Sequence, residues 1–513
     1  MNLVGKNLRA YFLAFQLLGT LKIAVATPAI PYNFTQRTDH FGVSNETFQQ
    51  RYYQNKTWWG GPGHPIICIM GGEGAIPPST GIFYPWITDV VARVLNAYVI
   101  EPEHRFYGTS LPFGPVDSFT TANMKGYFTP QQALADTAHF IQAKKDELGC
   151  DRNGEDCPVI TVGGSYPGWL SAMMRLRYPA IVDIAYAASA PVYFYAQQVS
   201  QYSYYAKVTE SAEKALEGCA NTVRNGLKAV QALGTVDRVV EALDICTPLP
   251  AYLQGNGTTE LFFQELNMVV MYTFAGLNME NYPPQGSGLQ NMCKTMSATS
   301  SPVEAIKTLL HTEYVQVAAG RSSVALAGSE QLPHTASDSS SCFDFASQLP
   351  GGTRATISAG DWSGVGAGRN GEGWDFETCS YMIEQIGTNG KTDMFPARPW
   401  TLAWLAKHCA SRFDGLVPQP RALVELWGFD DFAKAGATHI IFTNGLQDGW
   451  SVGGVQHNLS NTLLAFNMPN GAHHSDLSHD PVPNPYDTPD VVQVREDTLK
   501  VIEMWLKETA KQP

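Results

Sequence analysis

The chain of 513 residues is 44% hydrophobic and only 16% charged, with a formal net charge of −13 and a pI near 5.4. That is ample material for a sizeable core, built as one large domain with an insertion or as two domains. The acidic balance and the want of a basic patch exclude nucleic acid as a partner, and a weakly charged acidic surface suits an extracellular or acidic compartment.

At the N-terminus Lys6 and Arg9 precede an apolar run from Tyr11 to Leu21, and Ala24-Val25-Ala26 follows as an A-x-A cleavage site, so residues 1–26 read as a signal peptide. The run falls short of the roughly 20 apolar residues that a membrane span needs. No later segment is long and apolar enough, and "KETAKQP" at the other end is neither a lipid-anchor nor a KDEL-type signal, so no membrane anchor is expected. A secreted or lysosomal/vacuolar location follows. On that route the N-x-S/T sequons at Asn33, Asn45, Asn55, Asn256 and Asn458 become glycosylation candidates. The nine cysteines read as disulfides plus one leftover thiol, and Cys150 and Cys157 can staple the polar loop "GCDRNGEDCP". There is no C-x-x-C to support a zinc or thioredoxin-like site.

Four apolar strands come next: "HPIICIMGGEGAI", "LNAYVIEPEHRFYG", "CPVITVGGSYPG" and "IVDIAYAASAPV", with helical stretches from Pro130 to Leu148 and from Gly168 to Tyr178. Apolar strands alternating with helices predict a parallel sheet covered on both faces. From about Tyr193 the pattern changes. Segments 205–218, 235–246, 260–275 and 303–319 carry helix-period apolar residues without buried strands between them. "HTASDSSSC" and "WSGVGAGRNGEGWD" read as flexible loops. Strands return at "THIIFTNG" and "TLLAFNMPNG", and a last helix runs from Thr488-Pro489 toward Lys507, with proline at its favoured first position. The organisation is a sheet domain in two parts, 27–192 and 426–513, split by a helical cap over 193–425.

Two literal motif matches fail in context. "GAGRNG", Gly366 to Gly371, fits G-x-G-x-x-G but is expected to lie in a glycine-rich loop and to open no helix. "GWSVG", Gly449 to Gly453, fits G-x-S-x-G, but the 62 residues after Ser451 hold too few strands to complete a sheet. Ser165 in "VITVGGSYPGWL" has the right surroundings: strand, tight turn, helix, and ample chain downstream. Gly163 and Gly164 leave room for the turn, and Pro167 falls where a helix needs no N–H. Asp448 in "FTNGLQDGW" and His473 and His474 in "NGAHHSD" then follow successive strands, in the order serine, acid, histidine. A serine hydroxyl needs a histidine to take its proton and a carboxylate to orient that histidine. The histidine pair has no evident third ligand, so no metal is expected there. Oxyanion donors are expected from the backbone N–H of Tyr166 and from Gly72 or Glu73 in "MGGEG".

With these pieces placed, the chain resembles the S28 family of serine peptidases in "GGEGAI", "EHRFYGTSLPFG", "GGSYPGWLSAMMR", "FTNGLQDGWSVGG" and "GAHHSDL". The resemblance implies an α/β-hydrolase fold with a large helical cap inserted in the sheet domain, and Ser165, Asp448 and His473 as the triad. It implies cleavage on the carboxyl side of proline near a peptide terminus, of dipeptidyl peptidase or prolyl carboxypeptidase type, with no cofactor. It also implies cap disulfides 219–293, 246–342 and 379–409, with Cys68 free. Expected partners are peptides with proline near an end, with a homodimer left open.

Three positions depart from the family pattern: Pro167 in the elbow, Gly449 where the acid loop usually carries proline, and Ser478 where carboxypeptidase-like members place arginine. Glu73 is a candidate partner for a substrate's amino group, or a structural loop carboxylate. Trp169 and Trp450 are candidates for an apolar proline pocket, or cap-to-core packing. Two other readings stand beside the peptidase: a carboxylesterase or lipase on the same fold, and a non-catalytic protein that has kept the fold.

Overall fold

Eight strands form one sheet in the order β1-β2-β4-β3-β5-β6-β7-β8 in a computed structural model that describes residues 29–150, 156–249, 253–255, 257–318, 342–343, 368–477 and 485–509. They are β1 (Tyr32–Arg37), β2 (Thr47–Asn55), β3 (Ile66–Ile69), β4 (Tyr98–Pro102), β5 (Val159–Gly164), β6 (Ile184–Ala188), β7 (Ile440–Gly445) and β8 (Leu463–Met468). Pairing is antiparallel from β1 to β2 and β2 to β4, and parallel from there on. Every residue of β3 through β7 is buried, as expected of strands with helices on both faces. This sheet order, with a serine turn after β5, is the α/β-hydrolase fold.

The two faces carry separate cores. Ile66, Cys68, Val159 and Phe442 pack on one side with helix α1 (Pro130–Leu148) and helix α2 (Tyr166–Arg177), through Phe140, Trp169 and Met173. Ile67, Val99, Ile160 and Ile441 pack on the other, against Trp505 of the final helix (Pro489–Thr509). The β1–β2 hairpin has no counterpart in the sequence reading. Its inward face mixes Phe34, Phe48 and Tyr52 with Gln36 and Gln50, whose 2.9 Å hydrogen bond interrupts the apolar alternation. The expected signal peptide, Asn256, Ser478 and most of "HTASDSSSC" lie outside the described residues.

Between β6 and β7 the described residues are mostly helical; of the four segments read from periodicity, 260–275 falls within Thr259–Met279 (α4), and the other three overlap Ser203–Ala215 (α3), Val236–Leu243 and Pro302–Ala318 but run past their ends. They enclose a core of their own around Val208, Leu266 and Phe274. One expectation is overturned: "GAGRNG" does run into a helix, α5 (Gly368–Ser380). Burial of Trp374 and Phe376 and the Cys379–Cys409 bridge to Leu402–Arg412 (α6) hold this glycine-rich stretch helical against its weak propensity. Disulfides join Cys150–Cys157, Cys219–Cys293, Cys246–Cys342 and Cys379–Cys409, and Cys68 is free and buried.

Candidate active site

Ser165 sits between β5 and α2 with φ 65° and ψ −133°, a conformation that L side chains rarely adopt and that lifts the hydroxyl above the sheet. The turn has no room for side chains beneath it. A Cβ on Gly163 would stand 2.2 Å from the Pro167 carbonyl oxygen, and one on Gly164 would stand 2.7 Å from the His474 ring. Tyr166 opens α2, so its N–H has no carbonyl within the helix to serve. The Pro167 ring packs on the loop after β3: a Cβ on Gly72 would lie 2.5 Å from its Cγ. Proline in the elbow thus braces the two segments that carry the expected oxyanion donors.

Asp448 is fully buried on the loop after β7, where Oδ1 accepts from the Trp450 N–H at 3.0 Å and Oδ2 lies 2.6 Å from Nδ1 of His473. The rejected "GWSVG" match is the 3₁₀ turn behind this carboxylate, and Ser451 donates its hydroxyl to the Asp448 carbonyl at 2.7 Å. Cap residues that sequence reasoning missed fix both loops. Asn278 of α4 donates to the Gln447 carbonyl at 2.6 Å and accepts from the Gly449 N–H at 2.7 Å. Ser211 of α3 also donates to Gln447, at 2.7 Å, and the His473 N–H donates to the Met279 carbonyl at 3.0 Å. Gly449 replaces proline where Tyr204 of α3 presses in, since a Cβ there would meet its ring at 2.7 Å.

Ser165, His473, His474, Gly72, Glu73 and Trp450 line one cavity of about 170 Å³. His474 turns its ring over Gly164 and Tyr84, and its N–H donates to Ser189 Oγ at 2.8 Å. Trp169 does not reach the cavity. Its indole is 0% exposed, stacks on Tyr166 and Trp427 and meets Phe429 edge to face, so the packing alternative describes its placement.

The cavity is rich in carboxyls held toward their neutral form. Glu73 is half-open to it, yet burial pushes its carboxyl up to about 7 against the pull of its own N–H and of His473. Burial pushes Glu101 up to about 8 and raises Glu384 well above the carboxylate range. Glu377 of α5, buried behind the cavity, is likewise pushed up to about 8 and accepts from the hydroxyls of Tyr107 and Tyr166.

"EHRFYG" is bracing around this site. Glu103 pairs with Arg51 and accepts from the Ile76 N–H at 3.1 Å and the Ser110 hydroxyl at 2.8 Å, holding the loop after β3. Arg105, fully buried, donates to both oxygens of Asp136 on α1 at 2.6 Å each.

Sheet order and serine turn define an α/β-hydrolase. The chain matches the family "Serine carboxypeptidase S28" over residues 36–498. It belongs to that family and is a serine peptidase. Lysosomal Pro-X carboxypeptidase of Homo sapiens is 29% identical over 511 residues, covering 96% of this chain and 93% of that protein. The Bos taurus protein of the same name is 30% identical, covering 92% and 87%. "Prolyl carboxy peptidase like protein 5" of Caenorhabditis elegans is 30% identical, covering 92% and 89%.

Proposed function

We propose that the protein is an exopeptidase cleaving on the carboxyl side of proline, with Ser165, His473 and Asp448 as its triad, in a secreted or lysosome-like setting. The 2.6 Å Asp448–His473 pair, sharing one cavity with a serine at φ 65°, carries the reading. Oδ2 of Asp448 holds the proton on Nδ1 of His473, leaving Nε2 free to take the Ser165 proton as the hydroxyl attacks the carbonyl. The N–H groups of Tyr166 and Gly72 receive the oxyanion. His473 then gives its proton to the leaving amine, and water releases the acyl group by the same route. Trp450, which contacts Tyr204 and Phe194, offers an apolar wall to proline. The sheet domain over 27–192 and 426–513 supplies the triad, and the cap over 193–425 closes it.

Pro-X carboxypeptidase relatives favour release of a C-terminal residue; Glu73 favours dipeptidyl release, since an incoming amino group would stabilise its ionised form. Incubation with X-Pro-Y peptides blocked at one end or the other, with products read by mass, decides between them. Cleavage of neither set, or no labelling by a fluorophosphonate probe, would overturn the proposal and leave an esterase or a non-catalytic binding protein.

A further inference from the structure

A second cavity, of about 140 Å³, lies within the cap and shares Met279, Glu384 and Trp450 with the catalytic cavity. Six tyrosine and tryptophan side chains line it, Tyr272 and Trp404 among them. Two of its polar groups are committed to each other's helices: Asp375 of α5 pairs with Arg412 of α6 and lies 2.8 Å from Nε2 of His408. Arg398 is different. Its guanidinium stands 5.1 Å over the Trp404 ring, and among the described residues it has no side-chain hydrogen bond and no ion pair within 4.0 Å. Buried Glu265 acts on its charge only from beyond that distance.

An arginine kept in an aromatic cavity without a paired carboxylate leaves a planar fork of donors unused where desolvation makes them strong. The face against Trp404 is covered, so the donors at the guanidinium edge remain for a ligand. The two cavities adjoin at Met279, Glu384 and Trp450, which line both, and this is the side from which a peptide seated at Ser165 would enter. We propose that Arg398 forms a carboxylate subsite, receiving either the terminal carboxylate of the bound peptide or an Asp or Glu side chain. The ligand class is thus an acidic or free-acid peptide, a refinement that rests on the peptidase reading above.

The test compares N-acetylated X-Pro-Phe as free acid and as amide, and Glu with Gln as the residue before proline. The parent enzyme is expected to prefer one charged member by about tenfold or more, chiefly in KM, and Arg398→Gln to bring that peptide down to the level of its neutral counterpart. Arg398→Lys should restore part of the preference, which separates lost charge from lost packing. Preference for the free acid identifies the terminal carboxylate; preference for Glu identifies a side chain. Calorimetric binding of the same peptides to Ser165→Ala, with and without Arg398→Gln, reads the subsite without turnover. If the parent cleaves none of them while Ser165→Ala still shows the Arg398-dependent preference, the cleavage reading fails and the subsite stands. Equal binding of charged and neutral peptides, or a preference that survives Arg398→Gln, overturns the subsite.

Discussion

The carboxyl of Glu377, on cap helix α5, is 2.8 Å from the hydroxyl of Tyr166, the residue next to Ser165, across 211 positions of sequence. Tyr107 donates to its other oxygen at 2.6 Å, and Nε2 of His104 lies 3.2 Å from the Tyr166 hydroxyl. Nδ1 of His104 donates to the Arg105 carbonyl at 2.7 Å, which makes Nε2 an acceptor. When Glu377 holds its proton it can donate to Tyr166, whose hydroxyl proton is then free for His104, and the buried chain is satisfied throughout. Ionised, Glu377 accepts from both tyrosine hydroxyls, which leaves Nε2 of His104 without a donor and a buried charge near Glu73. Glu377 is therefore a positioning residue for the elbow. Glu377→Gln, which mimics the protonated form, should keep activity within about threefold and flatten a loss of kcat that the parent shows above about pH 8. Glu377→Ala should lower kcat by about tenfold or more. An alanine variant with the parent's kcat and pH profile would refute the role.

The two histidines should separate cleanly. His473→Ala is expected to lower turnover by roughly 10³-fold or more, since it removes the proposed general base. His474→Ala should be far milder, because its ring packs over Gly164 and its structural bond to Ser189 uses the backbone N–H. Steady-state rates on one peptide suffice, and the reverse ranking would move the base to His474.

Ser165→Ala should abolish turnover and fluorophosphonate labelling with folding intact. Pro167→Gly should stay within roughly tenfold of the parent, less than about 1.4 kcal/mol in the barrier, because residue 167 supplies neither a catalytic side chain nor the Tyr166 N–H. Some stability should go with the lost ring contact to Gly72 and the wider unfolded ensemble. Thermal melts beside the rates test both halves, and activity surviving in Ser165→Ala would sink the elbow assignment.

Gly449→Pro, which restores the family's commoner residue, is expected to harm this protein. The ring would meet Tyr204 and the bond from the Gly449 N–H to Asn278 Oδ1 would go, at a cost of about 1–3 kcal/mol for the unpaired buried acceptor. Activity should fall with stability, since Asp448 is adjacent. A melting temperature equal to the parent's would show that the cap does not clamp this loop as described.

Stability should decline as pH rises from about 6.5, above the range in which the histidines titrate, to about 8. Glu73, Glu101 and Glu377 have folded-state values pushed up to about 7, 8 and 8 from an ordinary 4.5. The folded chain therefore holds protons that the unfolded chain has released across this window, so unfolding grows easier with pH. The stabilisation is complete below about 4.5 and lost as pH passes each folded value. The opposite slope comes below the ordinary histidine value of 6.5 from His104, lowered by burial to about 4, and from His139 and His439, also lowered by burial, and below 3.8 from Asp136, which Arg105 lowers against its burial. Urea midpoints at pH 6.5 and pH 8 check the sign, and a higher midpoint at pH 8 would contradict it.

The sequence by itself determined the features written in neighbouring residues. Apolar runs marked β3 through β8, and the Gly163-Gly164-Ser165 turn between a strand and a helix marked the elbow. Chain order put Asp448 and His473 on the following loops, and periodicity located four cap helices. These signals are local, because a strand, a turn or one helix face is fixed within a few residues. Only the tertiary structure decided what spans long separations. It buried Trp169 in the core while leaving Trp450 at the cavity, though both are tryptophans beside catalytic motifs. It set Tyr204 against Gly449 and the Pro167 ring against Gly72, which accounts for two departures from the family pattern. It made a helix of Gly368–Ser380, where packing and a disulfide outweigh glycine's entropy. It also brought Asn278 and Glu377 against the site and set Arg398 in the adjoining cavity, because which polar groups meet depends on how the helices between β6 and β7 dock on the sheet, and no periodicity encodes that.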